Sequence, residues 1–248
     1  MLFRSLGARD WSGTNDETGK KEGEVVVGWR GGSTHQDDVK MVDWAGILKN
    51  NPSVRLALYS NPLLIEWMIT YWNLDRDRVT IIPPRNFQKY PTGLSGIDIM
   101  LVPLVQSEFN DGKSELALIE AGALGIPTVC SQSAAYIRFA DGNRDSWKYA
   151  AVEGWGAPLT KMINDAEYRT NLGALAKQRV LENYTYERNV YQWVSAFNNI
   201  WEQKLAGNLG PGVATATLET GPNKPCPFCH AEGVANPPKT KKCTKHRR

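Results

Sequence analysis

The stretch from Gly96 to Ser131, GIDIMLVPLVQSEFNDGKSELALIEAGALGIPTVCS, limits what the chain can fold into more than any other part of it. Its apolar run, Ile97 to Val105, is too short to cross a membrane and rich enough for a buried strand. A polar loop follows from Gln106 to Lys113, and Ser114 then stands where a helix N-cap belongs, with Glu115 in the first turn. Leu116, Ile119, Ala123 and Leu124 fall at helical spacing, Gly125 ends the helix, and Ile126 to Cys130 reads as the next strand. A strand, a Gly112-Lys113-Ser114 loop and a helix start in succession make an anion site. Free N–H groups and about half a positive charge of helix dipole collect there. Glu120 sits on the second turn of that helix in otherwise apolar company. An acid in such a place needs a partner, and a ribose diol is a natural one.

The same alternation runs along the chain. Strands are expected at Glu24 to Trp29, Val54 to Tyr59 and Val79 to Ile82, with a short sixth at Trp147 to Ala151. Amphipathic helices are expected at Asp38 to Lys49 (Val39, Val42, Trp44, Ile47, Leu48) and at Pro62 to Asn73. In the second of these, the aromatic stripe of Trp67, Tyr71 and Trp72 reads as core. Ser131 to Asp145 reads as a loop. Leu159, Met162 and Ile163 mark a short helix, and Asp165 caps another that runs to about Asn183. Val190, Trp193, Val194, Phe197, Ile200 and Trp201 fall on one side of a last helix. Strands alternating with helices give an α/β fold: a Rossmann-like parallel sheet with helices on both faces.

The loop after the first strand, GWRGGSTHQDD from Gly28 to Asp38, is the second place where chemistry can gather. Glycines at 31 and 32 let the backbone approach a phosphate closely, and Arg30 offers fixed charged donors. The plainer alternative is that Gly31-Gly32 is only a turn and His35 a surface residue. Pro83-Pro84 ends the third strand, where Pro84, Arg85 and Phe87 could wall a base pocket; Pro-Pro also simply stops strands.

The segment Glu120-Ala-Gly-Ala-Leu-Gly-Ile-Pro-Thr-Val129 resembles the donor-binding half of GT-B glycosyltransferases with an E-x7-E signature, of the family 4 (group 1) kind. The resemblance covers Glu24 to Lys204 and implies a single GT-B half that binds a nucleotide sugar. It implies that Glu120 holds the donor ribose and that Arg30 and Lys113, with the Ser114 hydroxyl, hold its diphosphate without a metal. It places His35 where the family has a phosphate-binding Lys, and Gly112 where the family has the first Glu of the signature. Phe109-Asn110-x-x-Lys113-Ser114 resembles a branch in which Lys and Ser replace that acid. It also implies that the last helix packs across two domains. Such enzymes carry a second, N-terminal Rossmann-like half for the acceptor, and Met1 to Gly23 is far too short for one. A partner domain or subunit, or a nucleotide-binding role without transfer, is the corresponding expectation.

Charge separates the chain into two parts. Gly221 to Arg248 holds seven Lys/Arg and one Glu, a net of +6 within a total of +3, which leaves the remainder at −3. Only the tail has the balance of a nucleic-acid-associated segment. Met1 to Gly23 reads as a flexible arm and Leu205 to Pro225 as a Gly/Pro/Thr linker. Beyond the linker, Cys226-x2-Cys229 and Cys243-x2-His246 have the spacing of a zinc ribbon, with His230 a competing ligand. A disulfide or unpaired thiols are the alternatives. Cys130 reads as a small core residue. The N-terminus lacks the apolar centre of a signal peptide, so the expected location is cytoplasmic. A P-loop NTPase is the lesser reading of Gly112-Lys113-Ser114, because Ser107 stands where the Walker loop needs Gly.

Overall fold

The computed structural model describes residues 16–86, 88–141, 150–152 and 155–207. Six strands form one parallel sheet: β1 (Val25–Arg30), β2 (Val54–Tyr59), β3 (Val79–Ile82), β4 (Ile99–Val102), β5 (Thr128–Cys130) and β6 (Ala151–Val152). The order is β3-β2-β1-β4-β5-β6. Chain direction along the sheet therefore reverses between β1 and β4, whose pairing sets Val27 opposite Ile99 and Trp29 opposite Leu101. In open α/β sheets the crevice at that reversal, outside the carboxyl ends of the strands, is where ligands bind.

Strand residues alternate between two cores. Val25, Val27, Trp29, Leu56, Leu58, Ile99 and Leu101 face one; Val26, Ala57, Tyr59, Met100, Val102 and Cys130 face the other. Both faces are covered, which explains why these strands read as apolar runs without polar alternation. The first core is roofed by α2 (Trp44–Asn50), α3 (Pro62–Trp72) and α7 (Ala157–Asn164), the second by α5 (Leu116–Ala123), α6 (Ala134–Ala140) and α8 (Ala166–Asn183).

The expected helix over Asp38 to Lys49 is two helices. A 3-10 turn, Ser33–His35, leads into α1 (Gln36–Val39), and α2 begins only at Trp44. Asp43 starts the second by accepting the Gly46 N–H at 2.9 Å, and the Trp44 indole donates to the Val39 carbonyl that the break exposes. The apolar side was right: Val39, Val42, Trp44, Ile47 and Leu48 are all buried. Asn61 caps α3, and Asn73, in the left-handed region at φ 48°, closes it. Of the aromatic stripe on α3, Trp67 and Trp72 pack on the core, whereas Tyr71 is exposed.

The polar loop expected at Gln106 to Lys113 contains one helical turn, α4 (Glu108–Asp111), capped by the Ser107 hydroxyl. Ser114 is not the cap of α5; Glu115 holds that position, and no side chain caps the helix. The far end of α5 closes as a Schellman turn: Gly125 at φ 76° donates to the Gly122 carbonyl, and Ile126 to that of Ala121. Gly122 is required for packing. A Cβ there would lie 2.9 Å from Val180 and 3.1 Å from the Ala176 carbonyl on α8. The expected loop from Ser131 contains α6, whose Tyr136 and Phe139 are buried and whose Ser133 accepts the Tyr136 N–H. The break between α7 and α8 falls where expected, with Asp165 capping α8 through the Tyr168 N–H.

Within the segment read as an arm, Asp16 to Gly23 is held to the sheet. Thr18 is fully buried and its carbonyl accepts from the Thr80 hydroxyl, Glu17 pairs with Arg85, and Lys20 pairs with Asp98 at 2.7 Å. The chain divides into two units at Tyr191/Gln192, inside the last helix, α9 (Tyr186–Leu205). Trp193, Phe197, Ile200 and Trp201 of α9 are more than half exposed. No helix among the described residues is long and apolar enough to cross a membrane.

Candidate functional site

A cleft of about 190 Å³ opens at the carboxyl ends of β1 and β4, at the reversal in strand order. Its walls are Trp29 and Arg30 from β1, His35 from the following turn, and Val102 and Pro103 from the end of β4. Lys113 and Ser114 of the next loop, Leu116 and Ala117 of α5 and Tyr136 of α6 complete it. Four residues singled out from sequence, Arg30, His35, Lys113 and Ser114, thus meet in one place although the chain separates them by more than eighty positions.

Backbone geometry brings the β1 loop to the cleft. The Gly31 N–H donates to the Tyr59 carbonyl, and the Ser60 hydroxyl donates to the Gly31 carbonyl at 2.6 Å, so the loop is pinned to the end of β2. A Cβ on Gly31 would lie 2.4 Å from the Trp29 ring and 3.2 Å from His35, so no other residue fits between the two side chains that wall the cleft. Gly32 has open space around it and begins the 3-10 turn that presents His35.

Arg30 is a quarter exposed and donates from Nη2 to Glu120 Oε2 at 2.5 Å. Tyr90 donates its hydroxyl to the same oxygen at 2.8 Å. Burial and the neighbouring carboxylate push the Tyr90 phenol far up, so it stays a donor. The buried Nε of Arg30 has no acceptor among the described residues. Glu120 does not reach the cleft wall; it stands behind Arg30. Lys113 has no carboxylate partner among the described residues, and its Nζ lies 5.2 Å above the ring of Phe109. The Tyr136 phenol, pushed up by burial, is neutral. Facing the cleft are therefore two cations, an imidazole, a hydroxyl and the start of α5, with Glu120 engaged by Arg30 and Asp38 by His35.

Two further expected residues lie off the cleft. Gly112 is exposed at the end of α4, and Pro84 is exposed beyond β3. Arg85 donates its N–H to the Tyr59 hydroxyl and pairs with Glu17. Phe87 lies outside the described residues, as do Cys226, Cys229, Cys243 and His246. Among the described residues no group of His, Cys, Asp and Glu could hold a metal ion. Cys130 is fully buried and unpaired, its thiol pushed up by burial, as expected for a core residue.

Sequence reasoning missed Asp38 and Asn110. Asp38 is 4 % exposed; its Oδ2 lies 2.6 Å from His35 Nδ1, and its Oδ1 accepts the Val105 N–H at 2.7 Å. Asn110 donates to the Val105 carbonyl at 2.7 Å and reaches Asp38 at 3.4 Å. These bonds join the β1 loop to the β4 loop. The sequence signals were an acid three residues after His35 and the place of Asn110 in the Phe109-Asn110-x-x-Lys113-Ser114 motif, neither of which pairs the two.

No protein-family model matches the sequence, and no curated protein matches it. Solved structures do. HepE of Anabaena, in complex with UDP and glucose, superposes over 71% of this chain and 48% of its own, at TM-score 0.57 and 13% identity. TarM of S. aureus, in a mutant complex that includes UDP, superposes over 75% and 38%, at 0.54 and 16%. The C-terminal domain of LpcC, a group 1 glycosyltransferase from Francisella tularensis, is covered over 92% of its length by 72% of this chain, at 0.50 and 15%. The chain spans less than half the length of the first two. The fold is that of one GT-B Rossmann-like half.

Proposed function

We propose that the cleft binds the diphosphate of a nucleotide-sugar donor and that the chain takes part in glycosyl transfer. The observation that carries this is the meeting of Arg30, Lys113, His35 and Ser114 with the start of α5 at the switch point of a GT-B half. Arg and Lys donors, a hydroxyl and helix N–H groups are what a phosphate accepts from, and preorganised donors stabilise charge that develops on a leaving diphosphate. Arg30 and Lys113 would bear that charge. Glu120 would meet the ribose if its second oxygen turns outward, and would otherwise hold Arg30 in place. Gly31 and Gly32 would allow close approach, whereas Gly112 and Pro84 lie off the cleft and would not touch the diphosphate. At about 190 Å³ the cleft is smaller than pockets that enclose whole ligands, roughly 300–1,000 Å³. It suits the charged middle of a donor. The acceptor site would belong to a separate domain or subunit, in keeping with the share of the neighbours' length that the chain spans.

A thermal-shift series tests this reading. UDP, GDP or ADP should raise the melting temperature more than the matching nucleoside. Equal shifts from nucleoside and diphosphate would remove it, and a requirement for a γ-phosphate with magnesium would move it to the P-loop class. Against that class stands α4, whose turn occupies the stretch that a Walker loop would wrap around phosphate. Nucleotide binding without turnover of any sugar donor would favour the non-catalytic alternative.

Zinc and nucleic-acid contact by the basic tail are proposals from sequence alone. Protein purified without added metal should contain one zinc per chain, and Cys226→Ser should lower that content. Full zinc retention in the variant would place the metal elsewhere.

A further inference from the structure

The buried carboxylate of Asp38 serves two neighbours. Oδ1 takes the Val105 N–H and the Asn110 amide, while Oδ2 lies 2.6 Å from His35 Nδ1. A carboxylate only accepts, so Nδ1 must carry the hydrogen, and the other ring nitrogen, Nε2, is left for something else. Nε2 has no hydrogen-bond partner among the described residues, and the ring forms part of the cleft wall beside Arg30, Lys113 and Ser114. We infer that Asp38 is a positioning residue that holds His35 Nε2 as a proton-accepting phosphate contact, so that a diphosphate entering the cleft brings a proton onto the imidazole. The inference rests on the donor-site reading above.

Charges around the ring set the direction. Asp38 faces it from α1, Arg30 from β1, Lys113 from the loop after β4 and the neutral Tyr136 from α6. Asp37, its neighbour on α1, is exposed and paired with Lys40, and Glu120 on α5 is paired with Arg30. In the ligand-free cleft the two cations, Arg30 and Lys113, are matched by two carboxylates, with Glu120 paired to Arg30 and Asp38 to the imidazole. A diphosphate adds at least two negative charges and tips that balance. The proton then moves from solvent to Nε2, and the resulting N–H donates to a phosphate oxygen. A fixed Lys, as the resemblance leads one to expect here, would bind phosphate without this exchange; a His in its place makes binding proton-linked.

Isothermal titration of the full chain with UDP, GDP and ADP near pH 7, in two buffers of different ionisation enthalpy, counts protons taken up per nucleotide. The wild type should take up more protons than His35→Gln, which keeps an N–H donor in reach but cannot be protonated. Asp38→Asn keeps a carbonyl oxygen for the Val105 and Asn110 donors and removes only the charge that faces His35. It should lower proton uptake toward the His35→Gln value and weaken binding about tenfold, the usual scale for losing a charge-assisted hydrogen bond. A purely structural Asp38 would leave the proton count unchanged. If nucleotide binds and uptake is the same in wild type and His35→Gln, or if Asp38→Asn leaves uptake intact, the inference is wrong while the donor site stands. If none of the three nucleotides binds, the donor-site reading fails and takes this inference with it.

Discussion

Two buried carboxylates flank the cleft, and they differ in how they are held. Glu120, on α5, places one oxygen between a cation and a phenol, Arg30 and Tyr90, and its carboxylate makes no bond to backbone among the described residues. Asp38, on α1, divides its oxygens between an imidazole and a backbone N–H, with an amide close by. The Glu120 network is made of side chains. The Asp38 network contains backbone, so it fixes the relative position of two loops. Two acids of equal burial are thus held differently: Glu120 by side chains alone, Asp38 in part by backbone.

The sharpest way to break this comparison is at Arg30. Arg30→Ala should abolish measurable diphosphate binding and also destabilise the fold, because Glu120 is left buried without its cation. Breaking a buried pair costs about 3–5 kcal/mol; with Arg30 a quarter exposed and Tyr90 still in place, about 2–3 kcal/mol is the fitting range. The double variant Arg30→Met with Glu120→Met separates the two losses. Melting should recover, since an apolar pair often replaces a buried ion pair at little cost, whereas binding should not. Recovery of binding in the double variant would show that neither residue touches the donor.

Next in size is Asp38→Ala, read by denaturant unfolding. It orphans the Val105 N–H and removes a partner of Asn110, at about 1–3 kcal/mol for each buried donor left unsatisfied. A loss of about 2–3 kcal/mol is expected, several times that of Asp38→Asn. If alanine and asparagine cost the same, Asp38 is not the frame that joins the loops.

The difference between these acids also explains what could be read from the sequence. Glu120 stands in a periodic apolar segment bounded by Ser114 and Gly125, so local pattern alone marks it. The parallel sheet was legible for the same reason: apolar runs such as Val25 to Trp29 and Ile99 to Val102 are buried on both faces and carry a strong local signal. Asp38 is meaningful only because β1 and β4 are neighbours in space, which sets Val105 beside a residue 67 positions earlier in the chain. No spacing rule contains that pairing. The broken helix at Lys40 to Asp43 escaped for a related reason. Val39, Val42, Trp44 and Ile47 keep an apolar side through the break, so the pattern persists although the backbone bonds do not. The turn of α4 was hidden because Ser107 caps only one turn, Glu108 to Asp111, which is too short to show periodicity.

Glu120→Gln is the third test and compares the two acids directly. The amide is nearly the same size and can still accept from Tyr90, so the fold should stay intact while Arg30 loses its charged anchor. Nucleotide affinity should fall by about 1–3 kcal/mol, the range for a hydrogen bond to a charged group. A protein that unfolds with unchanged affinity would make Glu120 a structural acid and erase its distinction from Asp38.

The smallest expected effect is at Tyr90, and it decides whether Glu120 is anchored from one side or two. The Tyr90 ring packs against Tyr59 with centroids 5.3 Å apart, and its hydroxyl reaches Glu120 Oε2, the oxygen that Arg30 also uses. Tyr90→Phe keeps the ring contact and removes one neutral-donor bond to a carboxylate. Arg30 still satisfies that oxygen, so the variant should lose only about 1 kcal/mol of stability. Its effect on binding carries the information. If the phenol restrains Glu120, its removal lets the carboxylate follow Arg30 toward an incoming diphosphate, and affinity should shift by no more than about threefold. A loss as large as that of Glu120→Gln would mean that Tyr90, and not Arg30, holds the acid in its working position, and the Glu120 side of the cleft would then be as rigid as the Asp38 side.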